Sequence, residues 1–258
     1  MRRARFAVWG AFAAALCLAG RAPLWAQETE ASRPANQHWS FERLFGSYDL
    51  AAAQRGFAVY SQVCSNCHSM NLMHFRDLAG IGFSADQIKA IAAKVEVPAG
   101  LNDQGEPITG PGTPASTFRA PYPNEKAARA ALNGALPPDL SLIVNAREGG
   151  ANYVYAILTG FKDAPAGFHL QQGMYYNVAF AGRQIAMPPP LSDDQVTYGD
   201  GTKATLSQEA HDVVTFLAWA ANPELTERKQ AGVRVVLFLA LMTGLTYIVK
   251  RKVWADVH

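Results

Sequence analysis

Chemistry in this chain concentrates at Cys64-Ser65-Asn66-Cys67-His68. Two thiols at this spacing, followed at once by an imidazole, form the attachment pattern of a c-type haem: the sulfurs can become thioethers to the two vinyl groups of one porphyrin, and His68 then lies under the iron. Three rivals use the same atoms. Zinc normally wants four ligands, and beyond Cys64 and Cys67 only Cys17 remains, in a segment that export would remove. A thioredoxin-like redox pair expects alternating strands and helices around it, which the pattern lacks. A simple structural disulfide is the third. Haem is favoured, and the export signal described below favours it further.

The second axial ligand decides between chemistry at an open iron and simple electron passage. Met70 lies two residues from His68 and its chain does not reach the opposite porphyrin face; Met73 and His74 share the difficulty. Met242 falls in a hydrophobic span, leaving Met174, Met187, His38, His169 and His211. Met187 is preferred, because in Ile185-Ala-Met-Pro-Pro-Pro-Leu191 the first proline biases Met187 to an extended backbone and three fixed rings stiffen the loop. A soft thioether held rigidly needs little reorganisation on electron transfer. Met174, in Gly-Met-Tyr-Tyr, is the next choice, and a buried filler methionine in a surface loop is the plain alternative for Met187.

Several elements must position these residues. Asp49 to Val63 is a good helix former apart from Gly56, and it delivers the chain to Cys64. Ser84 with Gln87 forms a capping-box pattern before a helix whose buried face is Ile88, Ile91, Ala92 and Val95. From Val97 to Pro123 six prolines alternate with four glycines, which predicts a long loop. Shorter helices are expected at Glu125 to Asn133, Asp139 to Arg147 and Asn152 to Thr159, each followed by glycine within two residues. Phe161 to Tyr198 is again aperiodic. Thr205 and Gln208 then read as a second capping box, with Ala210, Val213, Val214, Leu217 and Ala220 on one helical face, where His211 reads as a structural residue. The expected domain is mostly helical with large loops and no strongly alternating strand.

Apolar sequence also flanks this domain. Met1 to Arg5 is basic and Phe6 to Gly20 apolar, an export signal that Ala26 could close, so residues 1–26 are expected to be cleaved. Ala231 to Val249 reaches about 28 Å as a helix, enough for a bilayer core, and meets Lys250-Arg251-Lys252. By the positive-inside rule residues 27–223 form a domain outside the cytoplasmic membrane, and 224–258 an anchor with a short internal tail. The formal charge of +2 averages unlike regions. Residues 27–223 hold 13 basic and 18 acidic residues, a balance of −5, which argues against nucleic acid and suits a basic partner.

With these features in hand, "YSQVCSNCHSM", "GALPPDLSLIVNAREGG", "YVYAILTGF", "YYNVAFAGRQIAMPPPL", "VTYGDGTKAT" and "DVVTFLAWAANPELTERKQAG", followed by one span, resemble the cytochrome c1 family of the cytochrome bc1 complex, over nearly all of residues 40–255. The resemblance implies a class I cytochrome c fold with large loop insertions and one C-terminal transmembrane helix. It implies one covalent haem c, with Met187 as the second iron ligand and Arg147 near a haem propionate. A basic residue near a helix C-terminus is favourable in any case, which is the plain reading of Arg147.

The family role is a relay from a Rieske iron-sulfur subunit to a c-type cytochrome, beside cytochrome b in a dimeric complex, with the haem domain in the bacterial periplasm. Quinol chemistry belongs to a partner, and no residue here need act as acid, base or nucleophile. The alternative is an independent membrane-anchored monohaem carrier. Asp193 and Asp194 are candidates for an acidic docking rim, against plain solvation. Some bacterial relatives carry a disulfide near the ligand loop; this chain lacks the cysteines for it, so packing and proline stiffness must hold that loop.

Overall fold

The computed structural model describes residues 34–256, so the export segment and its cleavage site lie outside the described residues. Six α-helices dominate: α1 (Leu50–Gln62), α2 (Ala85–Ala92), α3 (Glu125–Ala131), α4 (Gly150–Thr159), α5 (Leu206–Ala221) and α6 (Leu225–Val253). The centre is the crossing of α1 with α5. Gly56, the one poor helix former of α1, is required there: a Cβ on it would stand 2.0 Å from the carbonyl oxygen of Asp212. Such close approach buries Phe57, Val59 and Tyr60 against Val213, Phe216 and Leu217, and the rings of Phe57 and Tyr60 each pack on both Phe216 and Phe118.

An ion pair welds the same crossing. Arg55 donates from Nε (2.8 Å) and Nη2 (3.0 Å) to the fully buried Asp212, and from Nη1 to Asp200 at 2.9 Å. Gln208 adds a further bond to Asp212 at 3.0 Å, so the buried carboxylate is well satisfied. Thr205 caps α5 by accepting from Gln208 N, but the Gln208 side chain turns to Asp212 rather than back to the cap; only half of the expected capping box forms. On α2 the box is complete.

Two expectations are corrected. The long loop after Val97 contains an antiparallel hairpin of β1 (Glu96–Leu101) and β2 (Pro107–Pro111). Asn102 Oδ1 accepts from the N–H groups of Gln104 and Glu106, and Gly105 has φ +80°, so a tight polar turn overrides the prolines, which sit where this exposed two-stranded edge tolerates them. The helix expected at Asp139 to Arg147 is a run of turns instead. Asp139 spends its carboxylate on the N–H groups of Asn71 and Ser141, and Gly149 and Gly150 both have positive φ, so the chain bends rather than winds.

Helix α6 starts after Pro223 and runs 29 residues with none of its apolar window buried, a length and composition that fit a transmembrane anchor.

Candidate haem-binding site

Helix α1 ends at Gln62, and the next turn tightens into a 3-10 helix at Cys64–Asn66. Cys67 N and His68 N both donate to the Cys64 carbonyl, at 3.1 and 2.9 Å, which folds the two sulfurs and the imidazole into one turn. Cys64 is half-buried and Cys67 exposed; both are free thiols. Burial pushes the Cys64 thiol up to about 12, the reverse of what a redox-active thiolate needs. Among the described residues no three His, Cys, Asp or Glu side chains gather as a metal cluster, so the donor set fits a porphyrin tether better than a zinc site.

A second segment, 70 residues later, orients the histidine. His68 Nδ1 lies 2.8 Å from the Pro138 carbonyl. A carbonyl only accepts, so Nδ1 carries the proton, and Nε2, without a hydrogen-bond partner among the described residues, keeps its lone pair for a metal. Burial pulls the ring's pKa down, with the carbonyl opposing, so the neutral form is favoured. Around this contact Asp139 Oδ2 accepts from Ser69 Oγ and Asn71 N, Asp139 Oδ1 accepts from Ser141 N, and Ser141 Oγ accepts from Leu72 N. Burial raises the Asp139 pKa, but these bonds outweigh it and leave the carboxyl below its ordinary value of 3.8. Sequence reading missed Pro138, Asp139 and Ser141; the signal was the Pro-Pro-Asp-Leu-Ser string, read there as a helix start.

Met187 sits in a different construction. The short strands β3 (Tyr175–Tyr176) and β4 (Gln184–Ile185) pair as a hairpin, and the chain leaves β4 through Ala186 into Met187-Pro-Pro-Pro. Upstream, the fully buried Asn177 donates to the Ile157 carbonyl and accepts from Ala179 N, pinning the hairpin to α4. Downstream, Leu191 is buried, Val196 N donates to Glu209 Oε1 at 3.0 Å, and Leu206 N donates to Asp193 Oδ1 at 2.7 Å. The loop is therefore tied at both ends to other elements: to the α4 backbone through Asn177, and to α5 through Asp193 and Glu209. Met187 itself is half-buried.

The other ligand candidates have separate occupations. Met70 and Met73 are core residues, 0% and 4% exposed. His211 stacks on Trp39 with ring centroids 4.7 Å apart, His74 starts a 3-10 helix beside Asp77, and His38 and His169 are exposed. Met174 is half-buried in the turn before β3. Arg147 is exposed and donates to the neighbouring Ala146 carbonyl, at the end of the turns rather than of a helix. Asp193 has the local task just described, and Asp194, at φ +58°, donates its N–H to Ala204; both carboxylates remain at the surface.

Residues 39–257 match the family model described as the Cytochrome C1 family. The chain is 46% identical to "Cytochrome c1" of Rhodospirillum rubrum over 237 residues, covering 86% of this chain and 87% of the relative. It is 45% identical over 220 residues to "Cytochrome c1, heme protein, mitochondrial" of Saccharomyces cerevisiae, covering 85% and 71%. A third relative, "Cytochrome b/c1" of Bradyrhizobium diazoefficiens, is 45% identical over 248 residues, covering 88% of this chain and 36% of the relative.

Proposed function

Since this chain belongs to the cytochrome C1 family, we propose that it carries one haem c, tethered through Cys64 and Cys67 and ligated by His68 and Met187, and that it relays electrons singly from a Rieske iron-sulfur protein to a c-type cytochrome. The chain is a haem-bearing electron-transfer subunit of the cytochrome bc1 complex, and its fold is mostly helical with one long apolar C-terminal helix. When bound, the haem supplies a reversible one-electron couple, raised in potential by Met/His ligation.

The protein's part is geometric and electrostatic. Cys64 and Cys67 fix the cofactor to the end of α1, the Pro138 carbonyl holds the His68 proton on Nδ1, and Pro188 to Pro190 limit the travel of the Met187 thioether. Arg147 is proposed as a propionate partner, free to turn because among the described residues its guanidinium bonds only to an adjacent carbonyl. Asp193 and Asp194 keep exposed charge just after the ligand loop, in a domain whose −5 balance would steer a basic cytochrome. Lys250, Arg251 and Lys252 support an anchor whose C-terminus is cytoplasmic, with the haem domain in the periplasm and residues 1–26 removed on export. The complex is proposed to be dimeric.

The carrying observation is His68, whose Nδ1 is committed to a carbonyl while two thiols stand in the same turn. Purification of the full chain in mild detergent tests the assignment. Co-elution with a b-type cytochrome and an iron-sulfur protein, together with quinol-dependent haem reduction, is expected. A lone haem-bearing chain that no quinol reduces would make it an independent carrier.

A further inference from the structure

The turn at residues 42–47 takes no part in the haem site, yet it is among the most tightly built surface segments. Beneath it Trp39 and Phe41 stack at 5.6 Å, Phe41 packs on Tyr48 at 5.0 Å, and Tyr48 Oη donates to the carbonyls of Ala218 and Asn222, where α5 hands over to α6. Lys229, in the second turn of α6, spends its ammonium on three carbonyls of the turn: Phe41 at 2.6 Å, Arg43 at 2.5 Å and Gly46 at 3.3 Å. The turn closes only with glycine at position 46, since a Cβ there would lie 2.1 Å from the Ser40 carbonyl oxygen.

What this rigid scaffold holds outward is apolar. Leu44 is 76% and Phe45 77% exposed, side by side. Single exposed hydrophobes are ordinary, but a pair presented by an ordered turn marks an interaction surface. Its position names the partner. Phe45 and Gly46 share an open groove of about 450 Å³ with Lys229, Val233 and Arg234 of α6, and Val233 lies two residues inside the apolar run that begins at Ala231. The tip of the turn thus stands level with the start of the hydrocarbon-spanning stretch. The groove carries Lys229 and Arg234 and no carboxylate, and Arg234 has no ion-pair partner among the described residues. An apolar tip beside an unpaired guanidinium at the mouth of a membrane span matches one chemistry, a phospholipid, with phosphate on Arg234, drawn also by the nearby charge of Lys229, and acyl chain against Phe45 and Val233.

We propose that the turn from Arg43 to Ser47 is a membrane-docking wedge: Leu44 and Phe45 enter the headgroup boundary of the leaflet on the haem side, and the groove behind them seats a phospholipid phosphate. The wedge gives the haem domain a second attachment beside α6, locked to it through Lys229, and so fixes the tilt of the haem over the bilayer. It rests on the reading of α6 as a membrane anchor.

Depth measurement tests both and separates them. Phe45→Cys and, as a control within the span, Leu245→Cys are spin-labelled in the holoprotein complex, in vesicles of phosphatidylethanolamine and phosphatidylglycerol. Relaxation by oxygen and by a water-soluble nickel chelate is then compared. Oxygen should dominate at both positions, with position 45 the shallower. Dominance of nickel at 45 with oxygen dominant at 245 overturns the wedge alone. Exclusion of both reagents at 45 overturns it in favour of a protein contact. Nickel dominance at 245 overturns the anchor itself. Lipid phosphorus retained after detergent washing should fall in Arg234→Gln by about one phospholipid per chain, and unchanged retention overturns the phosphate seat.

Discussion

The turn that carries His68 follows directly from the 13-residue helix α1 and takes its supporting bonds from a segment 70 positions later, whereas the Met187 loop leaves a two-residue strand and is tied at one end to the α4 backbone through Asn177 and at the other to Glu209 of α5. The first side is a chemical motif oriented by hydrogen bonds: one carboxylate, Asp139, organises Ser69, Asn71 and Ser141 around His68. The second is stiffened by covalent rings, with few polar contacts of its own. A proximal histidine must keep one tautomer and one ring orientation, which hydrogen bonds specify well. A thioether has no proton to place, so restricted backbone freedom and packing suffice. The two sides meet through the frame, because α1 delivers one and the segment ending in α5 delivers the other.

The frame is therefore where the largest effect is expected. Arg55→Ala strips the buried Asp212 of its cation, a change that costs about 3 kcal/mol or more for a buried pair broken on one side. Thermal unfolding of the holoprotein should show the loss, and both haem faces should loosen together. Loosening of one face alone would mean that the two constructions are independent of the α1–α5 crossing.

Asp139→Asn attacks the proximal side only. Loss of charge-assisted bonds to Ser69, Asn71 and Ser141 should cost about 1–2 kcal/mol at neutral pH, less than a buried ion because the residue is partly exposed. The pH dependence has a definite sign. A carboxyl with a depressed folded pKa stabilises fully above its unfolded value and loses that contribution as pH falls through the folded one. The gap between wild type and variant should hence narrow below pH 3.8, seen in unfolding midpoints against pH. A gap constant through that range contradicts the hydrogen-bonded role of the carboxylate.

The smallest change is on the distal side. Pro189→Ala removes one ring from an exposed position and should cost about 0.4–1 kcal/mol, acting through the unfolded chain. Carbon monoxide should then reach the ferrous haem slightly faster, as the loop samples open states. If this variant loses as much stability as Asp139→Asn, the distal loop is held by native contacts rather than by stiffness.

These differences also explain what could be read in advance. Helices α1 and α5 and the long apolar helix are local properties of composition and spacing, and they appear where the sequence places them. Gly56 read as a flaw in α1 because its reason, the backbone of Asp212, lies 156 positions away. Asp139 read as a helix start for the same cause: its partners on the 69–72 segment are brought to it only by folding. The β1–β2 hairpin was hidden by its prolines, although Asn102-Asp-Gln-Gly105 carried the turn signal. Lys229 is the extreme case, a plain surface lysine in sequence whose three carbonyl partners come from the other end of the domain.

The central claim is that Met187 completes the iron's coordination opposite His68. The direct measurement is the reduction potential and near-infrared spectrum of the holoprotein carrying Met187→Leu. Loss of the thioether-to-iron charge-transfer band is predicted, with a fall in potential on the order of 0.1 V or more, within the roughly 0.8 V that axial ligands command. An unchanged band and potential would contradict the account and move the ligand to Met174.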